Sequence, residues 1–152
     1  DPGVLLYLMQ HEGMSAAGIT DMLYRESGLR GLSGLSSDMR ELEAAGTPEA
    51  AQAIEYFVFR IRRELGGLAA ALEGLDAVVF CGGIGENARA VREGVLEGME
   101  WLGTELDRTA NRGNAQLIST ARSRVQAFVI PTDEEGMIAR HSLRLVQQDT
   151  QP

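Results

Sequence analysis

The sequence contains no lysine; all 14 basic residues are arginine. Two chemistries fall with that absence for this chain. A Walker A phosphate loop needs its lysine on the nucleotide phosphates, and Schiff-base catalysis needs a primary amine. Cysteine is nearly missing as well. Cys81 stands alone, so no internal disulfide can form, which suits a reducing compartment and leads us to expect a cytoplasmic protein. Positive charge is in short supply: 22 acids face the 14 arginines, for a net charge of -8. Nucleic-acid binding needs clustered cations, so no such partner is expected. No apolar run reaches the ~20 residues that span a bilayer. The first residues also lack the basic-then-apolar pattern of a secretory signal, so no membrane partner is expected.

What is present suits a folded core. Hydrophobic residues make up 44% of 152 and charged residues 24%, the balance of a globular domain. The chain opens Asp1-Pro2-Gly3, a capping residue followed by proline at a first helical position. With no initiating methionine it reads as beginning at a helix edge, as a fragment would. Helices are predicted over 2–12, closed by Gly13, and from Ser15 to Ser27, stopped by Gly28. The Gly/Ser-rich stretch 28–37 reads as a loop, and a helix follows over 38–45.

Pro48 opens the longest helical stretch. Ile54, Phe57, Val58, Ile61, Leu65 and Leu68 recur at three- and four-residue steps, and Phe59 and Leu72 widen the stripe, so substantial burial is expected. LDAVVFC, residues 75–81, is β-branched and apolar without alternation, the pattern of a strand covered on both faces. Helix is predicted again over 88–103. Residues 104–124 read as polar and mixed, with a short strand at Leu117-Ile118. VQAFVIP, 125–131, is a second buried strand, and 133–147 a last helix. The expected division is a helical segment 1–74, a strand-helix-strand-helix segment 75–147 and a tail 148–152.

Three stretches carry chemistry. FCGGIGENA, 80–88, follows the first strand, and Gly83 to Ala88 matches the G-x-G-x-x-A dinucleotide pattern. Glycines let a backbone approach a ligand, and a helix start favours anions. A Rossmann unit would also want an acid about 20 residues on, at a strand end. Glu105 has that spacing, but TELDRTANRGN is no apolar strand. The structural alternative is a tight turn with Asn87 capping the next helix. The second stretch, Thr132-Asp133-Glu134-Glu135, is a T-x-x-E capping box at a strand-to-helix junction, or a Mg²⁺ site through a carboxylate. The third, Ser36-Ser37-Asp38-Met39-Arg40, caps a helix with Arg40 solvated, or presents an acid and an arginine to a base and ribose.

Together DPGVLLYLMQ, SGLSSDMREL, AAQAIEYFVFRIRRELGGLAAALEGLDAVVFCGGIGEN, VREGVLEGMEWLG and VIPTDEEGMIARHSLRLV resemble acetate kinase, in order and spacing, over nearly the whole chain. The resemblance implies an α/β fold: an incomplete ribonuclease-H-like domain of the actin-like ATPase type, mostly helical with two buried strands. It implies transfer of the ATP γ-phosphoryl group to acetate, giving acetyl phosphate, with ATP or ADP and Mg²⁺ bound. Gly82, Gly83, Ile84, Gly85 and Asn87 would border the adenosine, Asp38 and Arg40 the base and ribose, and Glu134 the Mg²⁺. Arg92 matches a recurring arginine without an assigned role. The family's catalytic Arg, His and Asp would lie upstream of Asp1, so the isolated chain is expected to be inactive. His11 and His141 match no functional histidine and read as structural or solvent-facing. Gly136 stands where a larger apolar residue is usual, at a cost of about 1 kcal/mol relative to Ala. Cys81 reads as a small core residue. Members pair through their C-terminal domains, so a homodimer is expected. The alternatives are a propionate or other short-chain carboxylate kinase, and a non-catalytic actin-like nucleotide-binding or assembly module.

Overall fold

The computed structural model describes residues 1–149. The chain divides into two compact units, Asp1–Glu73 and the part from Gly74 onward, and each is described by itself.

The first unit is helical. α1 (Pro2–Gln10) starts where the Asp1 carboxylate accepts a hydrogen bond from the Gly3 amide at 2.7 Å. α2 (Ala16–Asp21) is capped by Ser15 and continues into a π-helical turn, Met22–Glu26. Gly28, at φ +63°, ends that run as expected. The loop expected over 28–37 is instead opened by a helix, α3 (Gly28–Ser33). Leu29 packs on the core cluster of Leu42, Ala50 and Ala53, so burial overrides the Gly/Ser composition. Gly34, left-handed at φ +66°, stops α3. α4 (Met39–Ala45) and the 24-residue α5 (Pro48–Ala71) complete the unit.

Burial on α5 follows the predicted stripe in part, with Val58 buried and Ile54, Phe57, Ile61 and Leu65 half-buried. Ala50, Ala53, Val58 and Ala69 are buried, whereas Phe59 and Leu72 are 54% and 68% exposed, and Leu68 is exposed too. The small alanines admit close approach of α3 and α4, so the core gathers near the start of α5.

The second unit contains both predicted strands. β1 (Ala77–Phe80) and β2 (Gln126–Val129) pair in parallel, from Ala77 opposite Gln126 to Phe80 opposite Val129. Between them lie α6 (Gly82–Asn87), α7 (Arg89–Glu97), a 3₁₀ turn at Glu100–Leu102 and α8 (Arg108–Arg112). α9 (Glu134–Asp149) follows β2. The helix expected unbroken over 88–103 ends at Glu97, and the chain turns through Gly103 at φ +101°. α8 arises inside the segment read as irregular, because the Asp107 carboxylate accepts from the Thr109 and Ala110 amides, both at 2.9 Å. Leu117 forms an isolated antiparallel bridge with Phe128, where the short strand was expected. The expected tail at 148 is still α9 through Asp149; residues 150–152 lie outside the described part.

The core of this unit is Val91, Val95, Leu96, Met99, Ile118, Val125, Ala127 and Val129. β2 alternates, with Ala127 and Val129 inside and Gln126 outside. β1 is not covered on both faces: Phe80 is buried, but Val79 is 49% exposed. Cys81 is exposed as well, contrary to its reading as a core residue. Both corrections have one cause. The strand's apolar composition exceeds what a two-stranded sheet in this unit can cover. Among the described residues no helix is long and apolar enough to cross a membrane.

Candidate functional site

Parallel pairing puts the ends of both strands at one edge. Phe80 stands opposite Val129, and the Ile130 amide donates to the Phe80 carbonyl at 3.0 Å. The two candidate segments of this unit, GGIGEN and TDEE, therefore leave the sheet together at its carboxyl edge. Open α/β sheets bind their ligands at such edges.

The glycine turn is itself helical. Gly82 enters α6 at φ +69°, a conformation that L side chains rarely adopt. At Gly85 the demand is space: a Cβ would lie 3.1 Å from the Phe80 carbonyl carbon and 3.4 Å from its Cα. Gly83 faces neither constraint, since a Cβ there meets open space. Ile84 is half-buried, and its carbonyl accepts the Ala88 amide at 2.8 Å. The Asn87 side chain does not cap the next helix. Its Nδ2 donates to the Gly83 carbonyl at 2.9 Å and closes α6 on itself, while Ala88 takes the cap position of α7.

Behind the turn lies Arg92, fully buried. All its donors are directed at acceptors. Nε donates to Asn111 Oδ1 at 2.8 Å; Nη1 donates to the carbonyls of Gly85 and Glu86, both at 2.8 Å. Nη2 donates to the Asn111 carbonyl at 3.2 Å and to Asn114 Oδ1 at 2.8 Å. Asn111 Nδ2 in turn donates to the Arg89 carbonyl at 3.1 Å. Burial, and secondarily the charge of Arg89, lowers the hold of Arg92 on its proton. Five neutral oxygens solvate the cation in place of water.

The TDEE segment corrects the predicted capping box. Asp133, not Thr132, caps α9: its Oδ1 accepts the Gly136 amide at 3.1 Å. A Cβ at Gly136 would lie 2.3 Å from Asp133 Oδ2, so glycine leaves room for that cap. Thr132 is engaged elsewhere. Its amide and its hydroxyl donate to Glu86 Oε1, at 2.9 and 3.2 Å. The Thr132 amide foremost, then its hydroxyl and the Gly82 amide, hold the Glu86 carboxyl below its ordinary range. Glu134 is exposed at the first residue of α9. No group of three or more His, Cys, Asp or Glu among the described residues could hold a metal unaided. A single exposed carboxylate does fit an ion bound mainly by phosphates and water, as Mg²⁺ on a nucleotide is.

Asp38 and Arg40 belong to the first unit. Asp38 Oδ1 accepts the Arg40 amide at 2.9 Å and Arg40 Nε at 3.0 Å, and Oδ2 accepts Nη2 at 2.5 Å. The cap and the bidentate pair thus share one carboxylate, and the Arg40 guanidinium lowers it to about 2. Glu105, the acid a Rossmann reading would use, instead pairs with Arg122 at 2.5 Å. His11 stacks on Tyr7 at 5.0 Å, and both histidines are exposed, as expected. Sequence reasoning missed Glu86, Thr132 as its donor, and the pair Asn111 and Asn114. Only the clustering of amides at 111–114 hinted at them.

The acetokinase family model matches residues 1–140. An acetate kinase from Methylocella silvestris is 77% identical over 148 residues, covering 97% of this chain and 37% of its own length. The crystal structure of Porphyromonas gingivalis acetate kinase is 43% identical with a TM-score of 0.87, over 96% of this chain and 38% of that one. A propionate kinase from Francisella tularensis is 37% identical with a TM-score of 0.83, over 91% of this chain and 36% of its own. The chain spans 37% of the length of curated relatives it matches. Its helices and two-stranded parallel sheet are part of an α/β fold of the actin-like ATPase type. With residues 1–140 accounted for by one model, the chain belongs to the acetokinase family.

Proposed function

We propose that this chain forms the nucleotide side of a kinase that transfers the γ-phosphoryl group of ATP to acetate. A carboxylate oxygen of acetate bonds to the γ-phosphorus, the bond to the β,γ-bridging oxygen breaks, and acetyl phosphate and ADP leave. The observation that carries this reading is the parallel register of β1 and β2, which brings the glycine turn and the start of α9 to one sheet edge. Gly82 to Asn87 would border the adenosine, with the turn's glycines admitting the ligand and Asn87 holding its shape. Asp38 and Arg40 would meet the base and ribose. Glu134 would hold Mg²⁺, which neutralises phosphate charge when bound.

This chain offers orientation and one carboxylate, and phosphoryl transfer needs charge stabilisation from both sides of the reacting group. The isolated 152-residue chain should therefore give no turnover, and the full-length protein should make acetyl phosphate from ATP, Mg²⁺ and acetate. Turnover by the isolated chain, or none by the full-length protein, overturns the reading. The propionate kinase relative supports a second acyl acceptor. Comparing kcat/KM for acetate and propionate decides between them. We place the full-length enzyme in the cytoplasm as a homodimer, and a monomer in sedimentation at working concentration would contradict that.

A further inference from the structure

We infer that Arg92 is a positioning residue for nucleotide binding: its guanidinium fixes the Gly82–Asn87 turn without touching the ligand. The inference rests on the assignment of that turn to adenosine. α6 has six residues and α8 five, both far below the length at which a helix holds itself in water. α6 also carries three glycines, each losing the most backbone freedom on ordering. Something outside these helices must hold them.

Arg92 does so from the first turns of α7. Nη1 bonds the carbonyls of Gly85 and Glu86, which lie in the last turn of α6 and so lack an intrahelical partner. A cation at a helix C-terminus is also favoured by the helix dipole. Nε and Nη2 bond Asn111 and Asn114 around the end of α8. One rigid fork therefore locks two short helices to a third. Lysine offers its three donors from a single atom and cannot reproduce that geometry.

The test uses the full-length protein with Arg92→Lys, which keeps the charge and removes the fork, and Asn114→Ala, which removes one acceptor on the α8 side. Arg92→Lys should raise the ATP KM and the ADP dissociation constant by about tenfold, with the acetate KM within about twofold of wild type. Amide exchange over 83–87 should quicken. Asn114→Ala should change the ATP KM by less than Arg92→Lys does. A fall in melting temperature with ATP KM and exchange over 83–87 both unchanged would reduce Arg92 to a core residue. If the wild type makes no acetyl phosphate, the proposed function fails by itself. Faster exchange over 83–87 in Arg92→Lys then upholds the positioning of the turn, and unchanged exchange overturns it.

Discussion

Glu86 and Thr132, 46 residues apart, are joined by two hydrogen bonds to a single carboxylate oxygen, at 2.9 Å from the amide and 3.2 Å from the hydroxyl. This pair ties the end of the glycine turn to the segment that leads into α9 and Glu134. Glu86→Gln should weaken both bonds by removing their charge assistance. In the full-length enzyme the Mg²⁺ concentration for half-maximal rate should rise by roughly two- to fivefold, with the acetate KM unchanged. An unchanged Mg²⁺ titration would mean the link has no bearing on Glu134.

The same carboxyl predicts an acid limb of stability. Its folded value lies below the ordinary 4.5. Its contribution is therefore whole above 4.5 and disappears as pH falls through the lowered folded value. The stability difference between wild type and Glu86→Gln, followed by urea unfolding, should be constant from pH 7 to 5 and shrink below pH 4.5. A difference that grows on acidification would contradict the assignment.

The three glycines of α6 should respond differently to alanine. Gly85→Ala forces a Cβ against Phe80 and should cost about 1–3 kcal/mol by overpacking. Gly82→Ala, at φ +69°, should cost about 1–2 kcal/mol in backbone strain. Gly83→Ala meets open space and should be neutral or stabilise by up to about 1 kcal/mol. Thermal unfolding of the three variants checks the order.

Asn87 and Glu134 separate the two halves of the proposed site. Asn87→Ala loses the bond to the Gly83 carbonyl and should raise the ATP KM more than the acetate KM. Glu134→Gln should lower kcat and blunt the Mg²⁺ dependence while leaving α9 intact, because Asp133 makes the cap. Wild-type kinetics in Glu134→Gln would remove it from the metal's surroundings.

Asp38 caps α4 and grips Arg40 with the same carboxylate. Asp38→Ser keeps a capping oxygen and drops the ion pair. An unchanged helix content with a raised ATP KM would assign the pair to nucleotide recognition. Unchanged kinetics would leave it as a cap.

Some of this was legible from sequence and some could not be. The two strands were, because the apolar stretches LDAVVFC and VQAFVIP stand out from their more polar surroundings and contain 77–80 and 126–129. The turn at 82–87 was visible as a glycine cluster, though not as a helix, since three glycines argue against one. Arg92 stood out only as a match to a recurring family arginine, with no role attached. Its acceptors Asn111 on α8 and Asn114 just beyond it lie 19 and 22 residues away, and only the fold brings them in. Phe59 and Leu72 were read as buried because they widen a helical stripe, and Val79 because its strand is apolar without alternation; such patterns call for a cover without supplying one.

The parallel order of β1 and β2 also sets a schedule. Ala77 cannot meet Gln126 until α6, α7 and α8 have been made, an interval of roughly 2–10 s at ordinary rates of synthesis. For that time the edge of β1 that pairs with β2 stands without its partner. Between the emergence of Phe80 and that of Val129 that edge is open to wrong pairing.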